Sequence, residues 1–576
     1  MTALLTENLP LLAGAPNGIK KLRELILELA VRGKLVPQDP NNEPASGLLK
    51  RIAEEKTQLV AEGKIKKQKP PVEIAEEEKP YSIPTDWEWV RLDSLLKKIG
   101  AGSTPLGGKQ AYVADGVKFL RSQNVWNEGL RLNGVAYITE ETHEKMSGTH
   151  VEAGDLLFNI TGASIGRCAA VPSDFDTGNV SQHVTIVRPV SQGTQPFLHV
   201  VLISRLVQQT VMDVQVGVSR EGLSIGKLSQ FLIPFPPEAE QHRIVAKVDE
   251  LMALCDRLEA QQADAESAHA QLVQALLDSL TQASDAIDFA ANWQRLAEHF
   301  HTMFTTESST NALKQTLLQL AVMGKLVPQD PSDEPASELL KRIAEDKARL
   351  VAEGKVKKQI FLADTVEENK LFEMPKAWEW CRVSDLISIK HGYAFSSAYF
   401  CESDSPYVLT TPGSFFEAGG FRDRGARTKY YCGPVDQEFA LRAGDLIVAM
   451  TEQAAGLLGS TAFVPKDEKI YLHNQRLGKL IFDSETVFSG YIFHYFNGAY
   501  FRSCVADSST GMKVKHTSPG KIGAVFFPLP PLAEQHRIVA KVDKLMALCD
   551  QLKIRLTQAR QLKEQLASTL VEHVVA

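Results

Sequence analysis

Pro236-Pro237-Glu238-Ala239-Glu240-Gln241-His242-Arg243-Ile244-Val245-Ala246-Lys247-Val248-Asp249 runs on through Leu251-Met252-Ala253-Leu254-Cys255-Asp256. It returns almost unchanged at Pro530-Pro531-Leu532-Ala533-Glu534-Gln535-His536-Arg537-Ile538 and on to Asp550. A double proline ends a strand well and sits without loss in the first turn of a helix, where the missing N–H has no partner anyway. After it, Ile244, Val248, Leu251, Cys255 and Leu258 recur at alternating spacings of four and three, the a/d seam of a coiled coil. The second copy repeats the seam with Ile538, Val542, Leu545, Cys549, Leu552 and Leu556. Two long helices of about 40 residues with like seams are therefore expected to pack on each other, antiparallel. Ile244, Val248, Leu251, Ile538, Val542 and Leu545 are expected at the contact.

The repetition extends outward from the two seams. Leu22 to Gln68 recurs as Leu313 to Gln359, a shift of 291 residues (22 to 313), and the seams are related by 294 (236 to 530). Ala30-Val31-Arg32-Gly33-Lys34-Leu35-Val36-Pro37-Gln38-Asp39-Pro40 matches Ala321-Val322-Met323-Gly324-Lys325-Leu326-Val327-Pro328-Gln329-Asp330-Pro331, and Trp87-Glu88-Trp89 matches Trp378-Glu379-Trp380. The chain is a tandem duplication, and pseudo-twofold symmetry is the expectation it carries. Each copy opens with an amphipathic helix (Leu22, Ile26, Leu29; Leu313, Leu317, Leu320) that Gly33 or Gly324 ends. A second helix over Ala45 to Glu62 follows, with Gly63 behind it. The basic runs Lys64 to Lys69 and Lys355 to Lys358 read as solvated charge beyond a helix C-terminus or as a contact with nucleic acid or an acidic partner.

Between Trp87 and Pro236, and between Trp378 and Pro530, helical periodicity gives way to short strands such as Val117–Leu120, Asp155–Ile160 and His183–Val187. Here the halves diverge. Only landmarks survive: Ala153-Gly154-Asp155 and Ala443-Gly444-Asp445, Val171-Pro172 and Val464-Pro465, Gln182 and Gln475. The fold class is mixed α/β (α+β): two strand-rich domains separated by long helices.

Composition narrows the function. The chain has 576 residues, 44% of them apolar, and a formal charge of −7. It is long enough for several domains. No run nears the roughly 20 apolar residues of a membrane span, and no basic region precedes an apolar core at the N-terminus. A soluble cytoplasmic protein is expected. The seven cysteines make no C-x-x-C pair and no Cys/His metal spacing, and Cys255 and Cys549 read as buried apolar seam residues. His242 and His536 fall near helix starts, where capping or docking suits them better than metal binding. The phosphate loop, the Gly-x-Gly-x-x-Gly fingerprint, the His-Glu-x-x-His motif and the Asn-Pro-Pro-Phe/Tyr or Asp-Pro-Pro-Tyr tetrapeptide are all missing.

The repeated framework, the phrase Pro530-Pro531-Leu532-Ala533-Glu534-Gln535-His536-Arg537-Ile538-Val539 and the inner phrase Asn159-Ile160-Thr161-Gly162-Ala163-Ser164-Ile165-Gly166 resemble the specificity subunits of type I restriction–modification systems. The resemblance spans essentially the whole chain. It implies an N-terminal helical region (1–80), a first target-recognition domain (81–235) and a central helical region (236–370). A second target-recognition domain (371–529) and a C-terminal helix (530–576) complete the chain. It also implies a non-catalytic subunit whose two domains each read one half of a bipartite, asymmetric site on double-stranded DNA. The helices would dock two methyltransferase subunits, with restriction/translocase subunits joining. S-adenosylmethionine, ATP and Mg would belong to those partners and no cofactor to this chain. A coiled-coil scaffold whose inserted domains bind proteins is the competing class, and a self-sufficient methyltransferase or nuclease a third.

Base edges are read by Arg, Lys, Asn, Gln and Ser/Thr side chains, with Gln or Asn matching adenine and Arg guanine. The candidate contacts in the first domain are Arg121, Ser122 and Asn124, the trio Ser181-Gln182-His183, and Ser219 and Arg220 behind Gly217. The second domain offers Thr410 and Thr411, the basic–aromatic stretch with Arg422, Arg424 and Arg427, the trio Asn474-Gln475-Arg476, and Lys513, Lys515 and His516. Solvated edge residues would look the same. Acidic and basic residues are roughly balanced in these domains, so the excess acid lies in the helical framework. Such a reader holds phosphate weakly alone and suits a complex whose other subunits share the grip.

Overall fold

The computed structural model describes residues 11–66, 73–216, 222–284, 286–352, 372–402, 405–511 and 514–575. Two compact units divide the chain: Met1–Ala265 with Ala559–Ala576, and Glu266–Gln558. Each combines one copy of the helical framework with one strand-rich domain.

In the first unit the helix Gly18–Val31 buries Leu22, Leu25, Ile26 and Leu29, as the spacing predicts. It stops at Gly33, whose φ of +68° suits glycine, and a Cβ there would lie 2.5 Å from Pro84 Cγ and 3.1 Å from the Trp87 ring. The second copy repeats this closure at Gly324, with φ +70° and contacts of 2.5 Å to Pro375 and 3.2 Å to Trp378. The next helix, Ala45–Ala61, is followed by Gly63 at φ +71°. Lys67 and Lys69 of the first basic run, and the whole of the second, lie outside the described residues.

The strand-rich domain is an insertion held at its neck. Strand Glu88–Arg91 pairs antiparallel with Leu232–Phe235, so entry and exit lie side by side (Glu88 opposite Phe235). The second unit does the same with Glu379–Arg382 and Phe526–Leu529. Beyond the neck, one antiparallel sheet of the first unit has the order Leu96–Ala101, Val184–Pro189, Leu156–Asn159, Cys168–Ala170. Its counterpart is Ser388–His391, Leu477–Ile481, Leu446–Ala449, Thr461–Phe463. A second sheet in each unit contains one parallel pair, Val117–Leu120 with Gly178–Val180 and Tyr407–Thr410 with Ile470–His473. The surviving landmarks set the central strand: Gly154 and Gly444 turn at φ +82° and +83°, and each donates its N–H to Val171 or Val464. Asp155 then holds Arg188, and Asp445 holds Lys479.

The long helices run from Glu238 to Thr281 and from Leu532 to Val575, 44 residues each. Their start explains the repeated Glu-Gln. The Glu240 carboxylate, 1% exposed, accepts from Trp87 Nε1 (3.0 Å) and Gln38 Nε2 (2.6 Å). Glu534 accepts from Trp378 Nε1 (2.9 Å) and Gln329 Nε2 (2.6 Å). Burial raises the pKa of both carboxyls. Gln241 and Gln535 each donate back to the carbonyl of the first proline, Pro236 or Pro530.

The seam expectation holds for Ile244, Val248, Leu251 and Leu545 and fails for Ile538 and Val542. Ile244, Val248 and Cys255 bury with the first helix (Leu22, Leu25) and with Ala567 and Val574 from the last turns of the second long helix. Ile538 and Val542 bury with their framework helix (Leu318, Ala321, Val322) and with Tyr491, Tyr495 and Ile522 of their strand-rich domain. Leu545 and Cys549 meet Val273, Leu277 and Leu317. The start of one long helix thus lies along the end of the other, the antiparallel packing expected, while the framework helix takes much of the seam. Arg23 bonds Asp256 (2.5 Å) and Glu259 (2.8 Å), closing that joint in the first unit, as Lys314 with Asp550 closes it in the second. Cys255 and Cys549 are buried as expected, whereas Cys401 and Cys432 form a disulfide (Cα–Cα 6.3 Å) that the spacing gave no sign of.

Candidate nucleic-acid interface

The parallel strand pair creates the site. Because Val117–Leu120 and Gly178–Val180 run the same way, Arg121 and Ser181 leave the sheet at one edge, and Ser181 N donates to Leu120 O (2.9 Å). Strand Leu156–Asn159 arrives from the opposite sense beside Val184, so Ile160 N reaches His183 O (3.0 Å) and Thr161 Oγ1 lies 2.6 Å from His183 Nδ1. Gly102 crosses over this junction, where a Cβ would come within 2.0 Å of Val180 O. Ser103 N donates to that same carbonyl (3.1 Å). Leu223 N, donating to Ile160 O (2.8 Å), brings in a last segment. Five chain segments thus meet at one edge, with Gln182 and His183 exposed on it.

The second unit rebuilds this edge with other side chains. Thr411 and Asn474 leave the parallel pair, and Gly392 crosses with a would-be Cβ 2.2 Å from Asn474 O. Tyr393 N donates to His473 O (2.8 Å), and Gln475 N donates to Tyr393 O (2.9 Å). Asn474 Oδ1 accepts from Arg476 N (3.0 Å), fixing the turn that leaves Gln475 and Arg476 exposed. Behind them His473 is buried and its pKa is pushed down to about 4 by desolvation, so a neutral ring bonds Leu477 O (3.1 Å). Thr451 Oγ1 meets His516 Nδ1 (3.2 Å), and Thr517 N donates to Met450 O (3.0 Å).

Most sequence-chosen residues fall on these edges, but three are turned inward. Asn124 is 1% exposed and spends its amide inside the domain, accepting from Arg121 N (3.0 Å) and donating to Arg131 O (2.8 Å). It caps a 3-10 turn and is corrected to a structural residue. Ser181 (5% exposed) and Thr410 (0%) are also buried, so their side chains are withdrawn as base contacts. Arg121 and Ser122 are half-buried, and Arg121 donates to Gly134 O (3.1 Å). Arg422 pairs with Glu417 (2.7 Å) and Arg424 lies 3.4 Å from Thr411 Oγ1. Arg427, Lys515 and His516 are exposed. Ser219, Arg220 and Lys513 lie outside the described residues.

Sequence reading passed over Thr161 and Thr451, which sit on the same turn of the two domains and each bond a histidine. It also passed over Tyr393, 51% exposed beside the second trio. The threonines share a 290-residue shift (161 to 451), a signal hidden by divergent neighbours. Among the described residues no cluster of His, Cys, Asp and Glu could hold a metal ion.

Known proteins place this architecture. The family described as "Type I restriction modification DNA specificity domain" matches residues 84–266 and 375–560. The EcoAI type I restriction enzyme specificity subunit of Escherichia coli is 38% identical over 568 residues, covering 97% of this chain and 94% of that protein. The EcoEI specificity subunit of Escherichia coli is 37% identical over 573 residues, 96% of this chain and 93% of that one. Among solved structures, a chain from work on complex assembly and conformational transition of the type I R-M system shares the fold. Its TM-score is 0.51 at 18% identity, over 86% of this chain and 99% of that one. With the family matched in both copies and two relatives aligned end to end, the chain belongs to the type I restriction–modification DNA specificity subunits.

Proposed function

We propose that this chain is the non-catalytic, sequence-reading subunit of a type I restriction–modification complex. Each unit reads one half of a bipartite DNA site. The observation that carries this reading is the pair of loop edges: one backbone design, built twice, presents Gln182 and His183 in one unit and Gln475 and Arg476 in the other. A reader of two unlike half-sites needs that combination, since backbone geometry places a side chain in a groove and the side chain chooses the base. The site is accordingly asymmetric.

The long helices are the surface for partner subunits. Leu562 and Leu566, one turn apart on the second long helix, are 65% and 52% exposed, and apolar side chains left in water on a helix suit a docked partner. Two methyltransferase subunits would occupy the framework and carry S-adenosylmethionine. Restriction/translocase subunits would bring ATP and Mg. Adenine methylation or cleavage then belongs to those subunits. Among the described residues no helix is long and apolar enough to cross a membrane, and the complex we propose is a cytoplasmic one acting on DNA.

The test is to express the chain with its methyltransferase partner and map N6-methyladenine over a genome. A single two-part, non-palindromic motif is expected. Methylation independent of this chain, or of sequence, would overturn the reading.

A further inference from the structure

Just behind each reading edge, a hairpin carries an arginine whose guanidinium lies over an aromatic ring. In the first unit Arg131 N donates to Asn124 O (2.9 Å), closing the turn that begins at Arg121, and the Arg131 guanidinium carbon lies 3.6 Å from the Trp126 ring centroid. In the second unit Arg422 N donates to Ser414 O (2.8 Å), the equivalent bond, and the Arg422 guanidinium lies 4.8 Å from the Phe416 centroid. Trp126 and Phe416 stand at the same place in the two domains, 290 residues apart (126 to 416). Each arginine also faces an exposed carboxylate on its own hairpin, Glu128 at 3.6 Å and Glu417 at 2.7 Å.

The first unit adds a second cation. Arg167 lies 3.7 Å from the same Trp126 centroid, and a ring face has room for one guanidinium at that distance, so the indole is held between two. Arg167 has no carboxylate within ion-pair distance among the described residues. Its backbone carbonyl accepts from Asn159 N (2.8 Å), which anchors it to the loop carrying Thr161.

From these contacts we propose that the stacked arginines are backbone clamps, taking the DNA phosphates that flank each half-site. This rests on the DNA-reading function above. A guanidinium held over a ring keeps its N–H groups at the rim, where an exposed carboxylate or a phosphate fork can take them. The side chain of Arg131 is 57% exposed and that of Arg422 38%, so neither is sealed in the core. An exposed carboxylate partner is held weakly and gives way to a phosphate. The clamps sit on the hairpin behind the reading residues rather than among them, so they position the duplex without choosing bases. The first unit takes two phosphates and the second one.

The experiment uses the complex of the full chain with its methyltransferase subunits. Binding to a duplex carrying the mapped site, and to one with both halves scrambled, is followed against salt. R131Q, R167Q and R422Q should each flatten the slope of log affinity against log salt by about 0.9 and weaken both duplexes by one common factor, on the order of tenfold at 0.15 M salt. R131K and R422K, which keep a cation in place, should restore most of the slope, an outcome that misfolding would not give. Unchanged slopes in R131Q and R422Q would overturn the proposal. So would a changed base preference in one half, because that marks a base contact. A wild-type complex that binds both duplexes alike would remove the sequence-reading function instead, while the slopes would still report on the arginines.

Discussion

The neck of each domain and its reading edge lie in the same unit, yet they obey opposite rules. At the neck, Trp87, Gln38 and Glu240 make the bonds that Trp378, Gln329 and Glu534 make, with lengths agreeing within 0.1 Å. At the edge, crossing glycines, parallel strands and turns coincide, but Ser181-Gln182-His183 stands where Asn474-Gln475-Arg476 does. The neck is buried, and a buried polar group must find its partner, so chemistry there has one solution. The edge faces water, and its exposed side chains are free to differ without unfolding the domain. A duplicated reader keeps the first and varies the second.

The sharpest way to break this comparison is at the neck. Glu240→Ala leaves the Trp87 indole N–H and the Gln38 amide buried without their acceptor and should cost about 2–4 kcal/mol. Glu534→Ala should cost as much, since its surroundings are the same. Chemical denaturation measures both, and a loss under about 0.5 kcal/mol in either would mean the neck is not the fixed element.

At the edge the penalty moves from folding to binding. Gln182→Ala or Gln475→Ala should leave unfolding unchanged and weaken modification by about 1–3 kcal/mol, the scale of a two-point contact to a base. Methylation rates in the assembled complex decide it, and full rates in both variants would take these residues off the interface.

A smaller effect comes from a place where the two necks differ. Arg537 pairs with Asp333 at 2.6 and 3.2 Å, but the first copy has Asn42 in the aspartate's place. Asn42 Nδ2 and Arg243 Nη2 are both buried there without a hydrogen-bond partner among the described residues. Asn42→Asp supplies the missing acceptor and should stabilise the first unit by about 1 kcal/mol. An unchanged or lower unfolding midpoint would show that the two necks are not interchangeable.

The smallest effect is in pH. Burial raises the folded pKa of Glu240 and Glu534 above the unfolded value of about 4.3. Each therefore contributes stability that is fully present below that unfolded value and is lost as pH rises through the folded one. Relative to the E240Q/E534Q variant, the wild type should lose stability over the pH range that begins at that unfolded value and runs upward through the raised folded one. A difference that stays flat across this range would contradict the burial of the two carboxyls.

The sequence made visible whatever repeats or follows a period. Gly33 and Gly324 end their helices where the sequence predicts, and Val117–Leu120 is the strand expected. What stayed hidden depends on which way a side chain turns. Asn124 and Ser181 sit at strand ends among polar neighbours, and nothing local tells a capping amide or a tucked hydroxyl from a base contact. The Cys401–Cys432 bridge spans 31 residues and exists only because two strands bring its ends together. The seam was legible only in part for a related reason: its period announces an apolar stripe but not how much of it the other long helix, a domain or a framework element covers.

The neck pairing of Glu88 with Phe235 shows where the central claim should be tested, because a domain cut at residues 88–235 leaves the framework on both sides intact. That segment is replaced by the equivalent one from another specificity subunit, and the chimera is expressed with the methyltransferase partner and mapped for N6-methyladenine. One half of the methylated motif should change to the donor's and the other stay as it was. A motif altered in both halves, or in neither, would contradict the reading of two independent domains on one repeated frame.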